Sequence, residues 1–272
     1  MRSLAYEQFR TLERDHWWFR GRRAVYLELL REALGDRRPR RVLDVGAGLG
    51  GFLPELGELG QALCFTELDP EAARLAVGRG GAGGVRARAE ALPFQDESLD
   101  LVTLFDVLEH ADEDGPALDE VARILRPGGT LLLSVPAHPW LFSRNDEVAG
   151  HRRRYSRRGL VELVRGSELR LFRCTFANTL LFPAIASAVL ALKAVEPLVP
   201  SSEHTNLSWR LPRVLDELCY QAFRAELHLS RRIDLPVGHS LVAIARREEL
   251  GPILRPLPTR MPRPVIAPHG TT

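Results

Sequence analysis

The stretch VLDVGAGLGG, residues 42 to 51, decides the fold. A short β-branched and leucine run breaks into glycines where a strand must hand over to a helix, the turn that open α/β sheets place at their carboxyl edge beside a ligand. Gly46, Gly48 and Gly50 spell G-x-G-x-G, whereas Gly46, Gly48 and Gly51 spell G-x-G-x-x-G. The glycines fix the turn and leave its ligand open. Outward from the loop, apolar runs predict strands at 41–45, 62–67, 84–89, 99–105, 130–135 and 168–176, with LPVGHSLVAIA (235–245) as one more. Amphipathic stretches predict helices around 51–60, 70–79, 116–125 and 156–166, the third of them stopped by Pro127, Gly128 and Gly129. Strands alternating with crossover helices give a doubly wound, Rossmann-like α/β fold with a seven-stranded, mostly parallel sheet.

Around that core the chain divides into a helical N-terminal lid (1–38), the core (39–176), a helical insertion (177–232), the last strand (233–247) and a tail (248–272). The tail carries Pro252, Pro256, Pro258, Pro262, Pro264 and Pro268, and the expectation for it is disorder.

Asp44 separates the two glycine patterns. A dinucleotide lays an anionic pyrophosphate on the helix N-terminus, and a carboxylate two residues before the first glycine would face it; like charges about 4 Å apart repel by on the order of 4 kcal/mol at an intermediate dielectric. S-adenosylmethionine offers an ammonium and a sulfonium instead, so Asp44 favours the cationic cofactor. Glu67, 19 residues after Gly48, can take two ribose hydroxyls of either cofactor. The helix behind it already has Asp69 and Glu71 for its N-terminus. Gly51 is then expected to serve helix packing rather than pyrophosphate approach.

VLDVGAGLG, TELDPEA, AEALPFQDESLDLV, FDVLEH and RILRPGGTLLLSVP occur in this order, with HWWFRGRR, GHRRRYS and LPVGHSLVAIARR placed among and around them, over residues 16–247. The ordered set resembles the class I S-adenosylmethionine-dependent methyltransferases, in the broad group that includes the ubiquinone and menaquinone biosynthesis enzymes. The resemblance implies that Asp44 and the main chain of Gly46, Ala47 and Gly48 hold the methionine end of the cofactor, and Glu67 the ribose. It implies that Leu68 covers one adenine face, that Ala89 and Glu90 line the adenine edge, and that the main chain near Phe105 and Asp106 runs beneath the methionine part. One departure stands out: where the family often has an aspartate accepting from the adenine amino group, this chain has Arg88, which cannot accept a hydrogen bond.

Asp106, Glu109 and His110 form D-x-x-E-H at the end of the fourth strand, and His151 follows the fifth. Two readings stand. A divalent metal could sit on Asp106, Glu109 and His110 with His151 as a second imidazole, similar to the E-x-x-E-H arrangement of metal-assisted O-methyltransferases. The preferred reading is metal-free, with Glu109 capping or paired to an arginine and His110 a base or hydrogen-bonded pocket residue. RNDEVAGHRRRYSRR (144–158) reads either as a solvated loop before a helix capped by Ser156 or as a recognition loop whose arginines suit an anionic acceptor. His110, His151 and Tyr155 are the candidates for aligning or deprotonating the acceptor.

In HWWFRGRR, at least one tryptophan is expected to pack on the sheet domain, while the other, with Arg20 or Arg22, closes over the cofactor. The insertion segments FANTLLFPAIASAVLALKAVEPLV and RVLDELCYQAFRAELHLSRR are expected to pack on each other and on the sheet edge. They would wall an apolar pocket for a lipid-like acceptor, with a peripheral membrane contact or a homodimer interface as further roles.

Composition sets the outer limits. A net charge of +2 disfavours a nucleic-acid partner. Three scattered cysteines and a charged N-terminus without an apolar run fit a reducing cytoplasm. The expected function is transfer of a methyl group to an oxygen or carbon of a small or lipid-like acceptor. Its rivals are an NAD-dependent oxidoreductase and a catalytically silent scaffold that binds S-adenosylmethionine. The first rests only on the literal G-x-G-x-x-G and lacks a Tyr-x-x-x-Lys pair, because Lys193 is the sole lysine.

Overall fold

Strands β1 (Arg41–Val45), β2 (Ala62–Thr66), β3 (Gly84–Val85), β4 (Leu99–Phe105), β5 (Leu125–Pro136), β6 (Leu169–Ala177) and β7 (Ser240–Arg247) form one sheet in a computed structural model. It describes residue 10 and residues 12–80, 83–196 and 211–248. The order is β3-β2-β1-β4-β5-β7-β6, with β7 antiparallel to both of its neighbours and the other pairings parallel. Strands buried on both faces need near-continuous apolar runs, and VTLF and LLLSV supply them.

Side chains alternate across the sheet, so β1 sends Leu43 and Val45 to one core and Val42 and Asp44 to the other. The first core takes helices α4 (Asp114–Ile124) and α6 (Arg157–Arg165). The second takes α1 (Trp17–Leu34), α2 (Leu53–Leu59) and α3 (Pro70–Val77). Asp69 caps α3 by accepting from the amides of Glu71 and Ala72, and Ser156 caps α6 by accepting from Gly159, both as their sequence positions suggest.

Three expectations change. The third strand is only two residues long, because the chain leaves the ladder after Val85 and folds back in an Arg88↔Ala91 bridge. Helix α4 ends at Ile124, before Arg-Pro-Gly-Gly, and Pro127 to Gly129 instead form a bulge at the start of β5. Leu99 pairs with Leu125 and Leu101 with Thr130, so the extra residues bow out where proline has no amide to give the ladder. The insertion helices α7 (Phe182–Val195) and α8 (Arg213–Ser230) find different principal partners. Helix α7 packs its Phe182, Ala186 and Val189 with Leu141. Helix α8 lies along α1, where Trp17 and Trp18 both meet Phe223 and Gly21 leaves no room for a Cβ beside that ring. Among the described residues no helix is long and apolar enough to cross a membrane. Helix α5 (Arg144–Ala149), between α4 and α6 in the chain, carries the start of the basic segment. The expected disordered tail lies, beyond residue 248, outside the described residues.

Candidate active site

Strand β1 delivers Asp44 to the carboxyl end of the sheet, in register with Thr103 of β4. The Thr103 hydroxyl donates to Asp44 Oδ1 at 2.6 Å. Burial, and after it the negative charges of Glu67 and Glu13, still raise the Asp44 carboxyl to about 7. A buried carboxylate whose charged neighbours are carboxylates is a place for a cation. Glu67 sits beside it, accepting from the amides of Gly48 at 2.7 Å and Asp69 at 2.9 Å, so the acid ties the glycine turn to the end of β2.

The two glycines that differ between the sequence patterns do different work. Gly50, at φ 82°, lets α3 approach: a Cβ there would lie 2.9 Å from the Ala76 main chain. Gly51 borders Glu13, and a Cβ there would collide with that carboxylate. The helix-packing role expected of Gly51 therefore belongs to Gly50. At the position where a dinucleotide loop admits pyrophosphate, this chain holds an acid, itself paired with Arg79.

One cavity of about 580 Å³ runs from this loop to the carboxyl ends of β4 and β5, a size that suits a cofactor and part of an acceptor. Asp44, Gly46, Ala47, Gly48, Glu67, Leu68, Ala89, Phe105 and Asp106 all border it. Glu90 does not: it accepts from Arg88 at 3.0 Å and from the Asp112 amide at 3.2 Å, while Arg88 also reaches Asp112 at 2.6 Å. The expected adenine edge is thus reduced to Ala89, and the Arg88 departure is neutralised by two acids outside the cavity wall.

The far end of the cavity is polar. His110 and His151 face each other with ring centroids 4.9 Å apart. Nδ1 of His110 lies 2.9 Å from the Gly150 carbonyl, and Nδ1 of His151 lies 2.9 Å from Asp146 Oδ1. Each ring therefore donates through Nδ1 and keeps a lone pair on Nε2. Burial, then the neighbouring His151, lowers His110 to about 4, so it is neutral near pH 7. Glu109 is fully buried with neither carboxylate oxygen hydrogen-bonded. Burial and Asp106 push its carboxyl well above the usual range. Asp146 also accepts from Arg154 Nε at 2.8 Å; burial opposes its charge, but His151 and Arg154 outweigh that and hold it at about 2.

Two sequence assignments are corrected here. Asp106 does not join Glu109 and His110: Arg22 of α1 holds its Oδ2 at 2.8 Å and the Ser134 hydroxyl donates to Oδ1 at 2.8 Å. Tyr155 is buried off the cavity with its hydroxyl donating to Asp114 at 2.9 Å, and burial together with that acid raises its pKa further from any use as a base. Ladder geometry explains the second. Tyr155 bridges Ala137, and neighbouring extended residues point to opposite faces, so Arg154 reaches the cavity and Tyr155 the core. The expected lid also differs in detail. Both tryptophans border the cavity and pack on α8, Arg22 enters the site, and Arg20 points away to Asp216 and Glu217. His239 was not anticipated; it borders the cavity with Nδ1 unpartnered, edge-on to Trp18 at 4.9 Å.

Residues 43–133 match a family model described as a methyltransferase domain. The ubiquinone/menaquinone biosynthesis C-methyltransferase UbiE of Pseudoalteromonas translucida is 36% identical over 128 residues, 41% of this chain and 50% of the relative. The demethylmenaquinone methyltransferase of Renibacterium salmoninarum is 34% identical over 122 residues, 44% of this chain and 51% of the relative. The chain therefore spans about half the length of the curated relatives it matches. Among solved structures, an S-adenosylmethionine-dependent methyltransferase of Thermotoga maritima superposes with a TM-score of 0.56 at 18% identity, over 90% of this chain and 96% of that one. By these matches residues 43–133 resemble a methyltransferase domain and are similar to the ubiquinone/menaquinone biosynthesis enzymes, and the sheet as a whole has the fold of the solved methyltransferase.

Proposed function

We propose that this chain transfers a methyl group from S-adenosylmethionine to an oxygen or carbon of a small acceptor with an apolar part. Asp44 carries the reading: a buried carboxylate, surrounded by negative charge, that opens on the cavity beside the glycine turn. The cofactor's ammonium answers that charge, and a pyrophosphate would be repelled by it and by Glu13. Glu67 is placed to accept from the ribose, and Leu68, half exposed, to lie on the adenine.

When bound, the cofactor supplies an electrophilic methyl carbon, which the acceptor atom attacks in line as the carbon–sulfur bond breaks, leaving S-adenosylhomocysteine and a proton. His110 and His151 present Nε2 lone pairs where that proton would leave, and Asp146 orients His151 as a carboxylate orients a general base. Trp17, Trp18 and Arg22 cover the cavity from α1, which limits water near the reacting atoms. Ile185, Val189 and Leu192 of α7 make another wall apolar. That wall, and relatives named for quinone biosynthesis, support an acceptor with a hydrocarbon portion.

Calorimetric titration with S-adenosylmethionine tests the cofactor half of the proposal, with binding to the wild type and loss in Asp44→Ala and in Glu67→Ala. Unchanged affinity in both variants overturns it, as does saturable nicotinamide fluorescence on titration with reduced NAD. An acceptor screen read by a one-methyl mass gain tests turnover.

A further inference from the structure

We infer that Glu109, His110 and His151 bind a divalent first-row transition metal at the polar end of the cavity. The inference starts from the orientation of the two rings. In each, Nδ1 is engaged by an oxygen, the Gly150 carbonyl for His110 and the Asp146 carboxylate for His151, both at 2.9 Å. Metal-binding histidines are fixed in this way, one nitrogen donating to a carboxylate or carbonyl so that the other points its lone pair at the ion. Here one ring nitrogen of each histidine and a Glu109 oxygen lie within 4.8 Å of one another. Among those three, His151 Nε2 and Glu109 Oε1 are 4.0 Å apart, somewhat wider than the about 3.4 Å between tetrahedral ligands that each lie roughly 2.1 Å from an ion, so a small approach of the two side chains closes the set.

Glu109 supplies the second, independent observation. It is fully buried, and neither of its oxygens has a hydrogen-bond partner. Nε2 of His110 is buried and unpartnered as well. Buried polar groups are nearly always satisfied, so three acceptor atoms converging without a donor point to a cation between them. Arg22 acts on Glu109 through its charge, but its guanidinium is paired with Asp106 and neither Glu109 oxygen is hydrogen-bonded to it.

The donor set selects the ion. Two imidazole nitrogens with one carboxylate suit Fe(II), Co(II), Ni(II) or Zn(II), whereas Mg²⁺ and Ca²⁺ prefer oxygen ligands throughout. Asp106 is excluded from the set by its bonds to Arg22 and Ser134. Three protein ligands leave coordination positions open toward the cavity. If the chain transfers methyl as proposed above, an acceptor oxygen would occupy one of them, and with the ion bound its acidity would come from the metal, because the two Nε2 lone pairs would then be ligands and not bases; the metal site itself does not depend on that reading.

The test is Co(II) titration of the full chain, stripped with chelator, followed by visible ligand-field absorption and by calorimetry, with no acceptor or turnover involved. One Co(II) per chain is expected, displaced by Zn(II) and not by Mg²⁺. Glu109→Gln and His151→Ala should each weaken binding beyond the roughly 10–100-fold that an outer-sphere partner contributes, and Asp146→Asn should fall within that range. Asp106→Asn should bind Co(II) as the wild type does. Circular dichroism of each variant verifies folding, and should a ligand variant not fold, the wild-type stoichiometry and the displacement of Co(II) by Zn(II) but not by Mg²⁺ carry the test. Absence of a stoichiometric Co(II) site in the folded wild type overturns the inference. So does unchanged affinity in the Glu109 and His151 variants, or a loss in Asp106→Asn equal to theirs.

Discussion

The carboxylate of Glu13 occupies the space that a side chain on Gly51 would need. The third glycine of the literal dinucleotide pattern is thus reserved for an acid delivered from the segment before α1. Gly51→Ala should destabilise the protein by no more than about 1 kcal/mol, the low end of the range for overpacking, because the obstacle is the end of a flexible side chain that gives way at the expense of its pairing with Arg79. Adding Glu13→Ala should recover most of that loss. Thermal melts of the two single variants and the double variant measure the coupling, and additive losses would show that Glu13 is not the obstacle.

Asp44 gives a pH signature in both binding and stability. Its carboxyl sits at about 7 in the folded chain against 3.8 as the ordinary value, so near neutral pH it is only partly ionised. A cationic cofactor binds the ionised form. Affinity for S-adenosylmethionine should therefore rise as pH climbs through 7 and level off above it, and Asp44→Asn should bind weakly with no such slope. For stability the sign is reversed. A carboxyl whose folded pKa is raised loses stability as pH rises from about 4 to 7, because the unfolded chain ionises more easily. In the absence of cofactor, Asp44→Asn should melt above the wild type at pH 8, with the gap closing near pH 4.

Much of this site can be read from one sequence because it is written in local patterns. The glycines and Asp44 lie within one turn, Glu67 ends the next strand, and the strands follow runs such as LDLVTLF. Contacts between distant segments have no such local mark. Neither the Arg22–Asp106 pair, the Glu13 carboxylate at Gly51 nor Phe223 beneath the two tryptophans has a spacing to announce it. The D-x-x-E-H run suggested a set of three ligands on one turn, but Asp106 ends a strand with its side chain held by α1, and the second imidazole comes from a separate loop. The run Arg152-Arg153-Arg154-Tyr155 hid a further point, since only an extended conformation separates its side chains between cavity, surface and core.

Tyr155 provides a direct test of that last point. Its hydroxyl donates to Asp114 away from the cavity. Tyr155→Phe should lower stability by about 0.5–1.5 kcal/mol, the net worth of one hydrogen bond, and leave turnover within about twofold. A loss of a hundredfold or more in kcat with an intact melt would return Tyr155 to the reaction. The comparison belongs beside His151→Ala, for which a large loss is expected.

Asp146 joins the recognition loop to the site, and its removal should be felt in the fold before it is felt in the chemistry. The carboxylate closes the capping box at Ser143, accepts from Arg154 and orients His151. Taking it away leaves the Arg154 guanidinium buried without its partner, a change of about 3–5 kcal/mol in stability. For a chain of this size that corresponds to roughly 10 °C in Tm. Because His151 and Arg154 hold Asp146 at about 2, below the ordinary 3.8, its contribution is complete above pH 4 and fades as pH falls toward 2. The Tm difference between wild type and Asp146→Asn should therefore be constant from pH 8 to 5 and shrink below pH 4. A difference that persists unchanged to the lowest pH at which both remain folded would mean that packing, rather than the ionised carboxylate, is what the loop draws from Asp146.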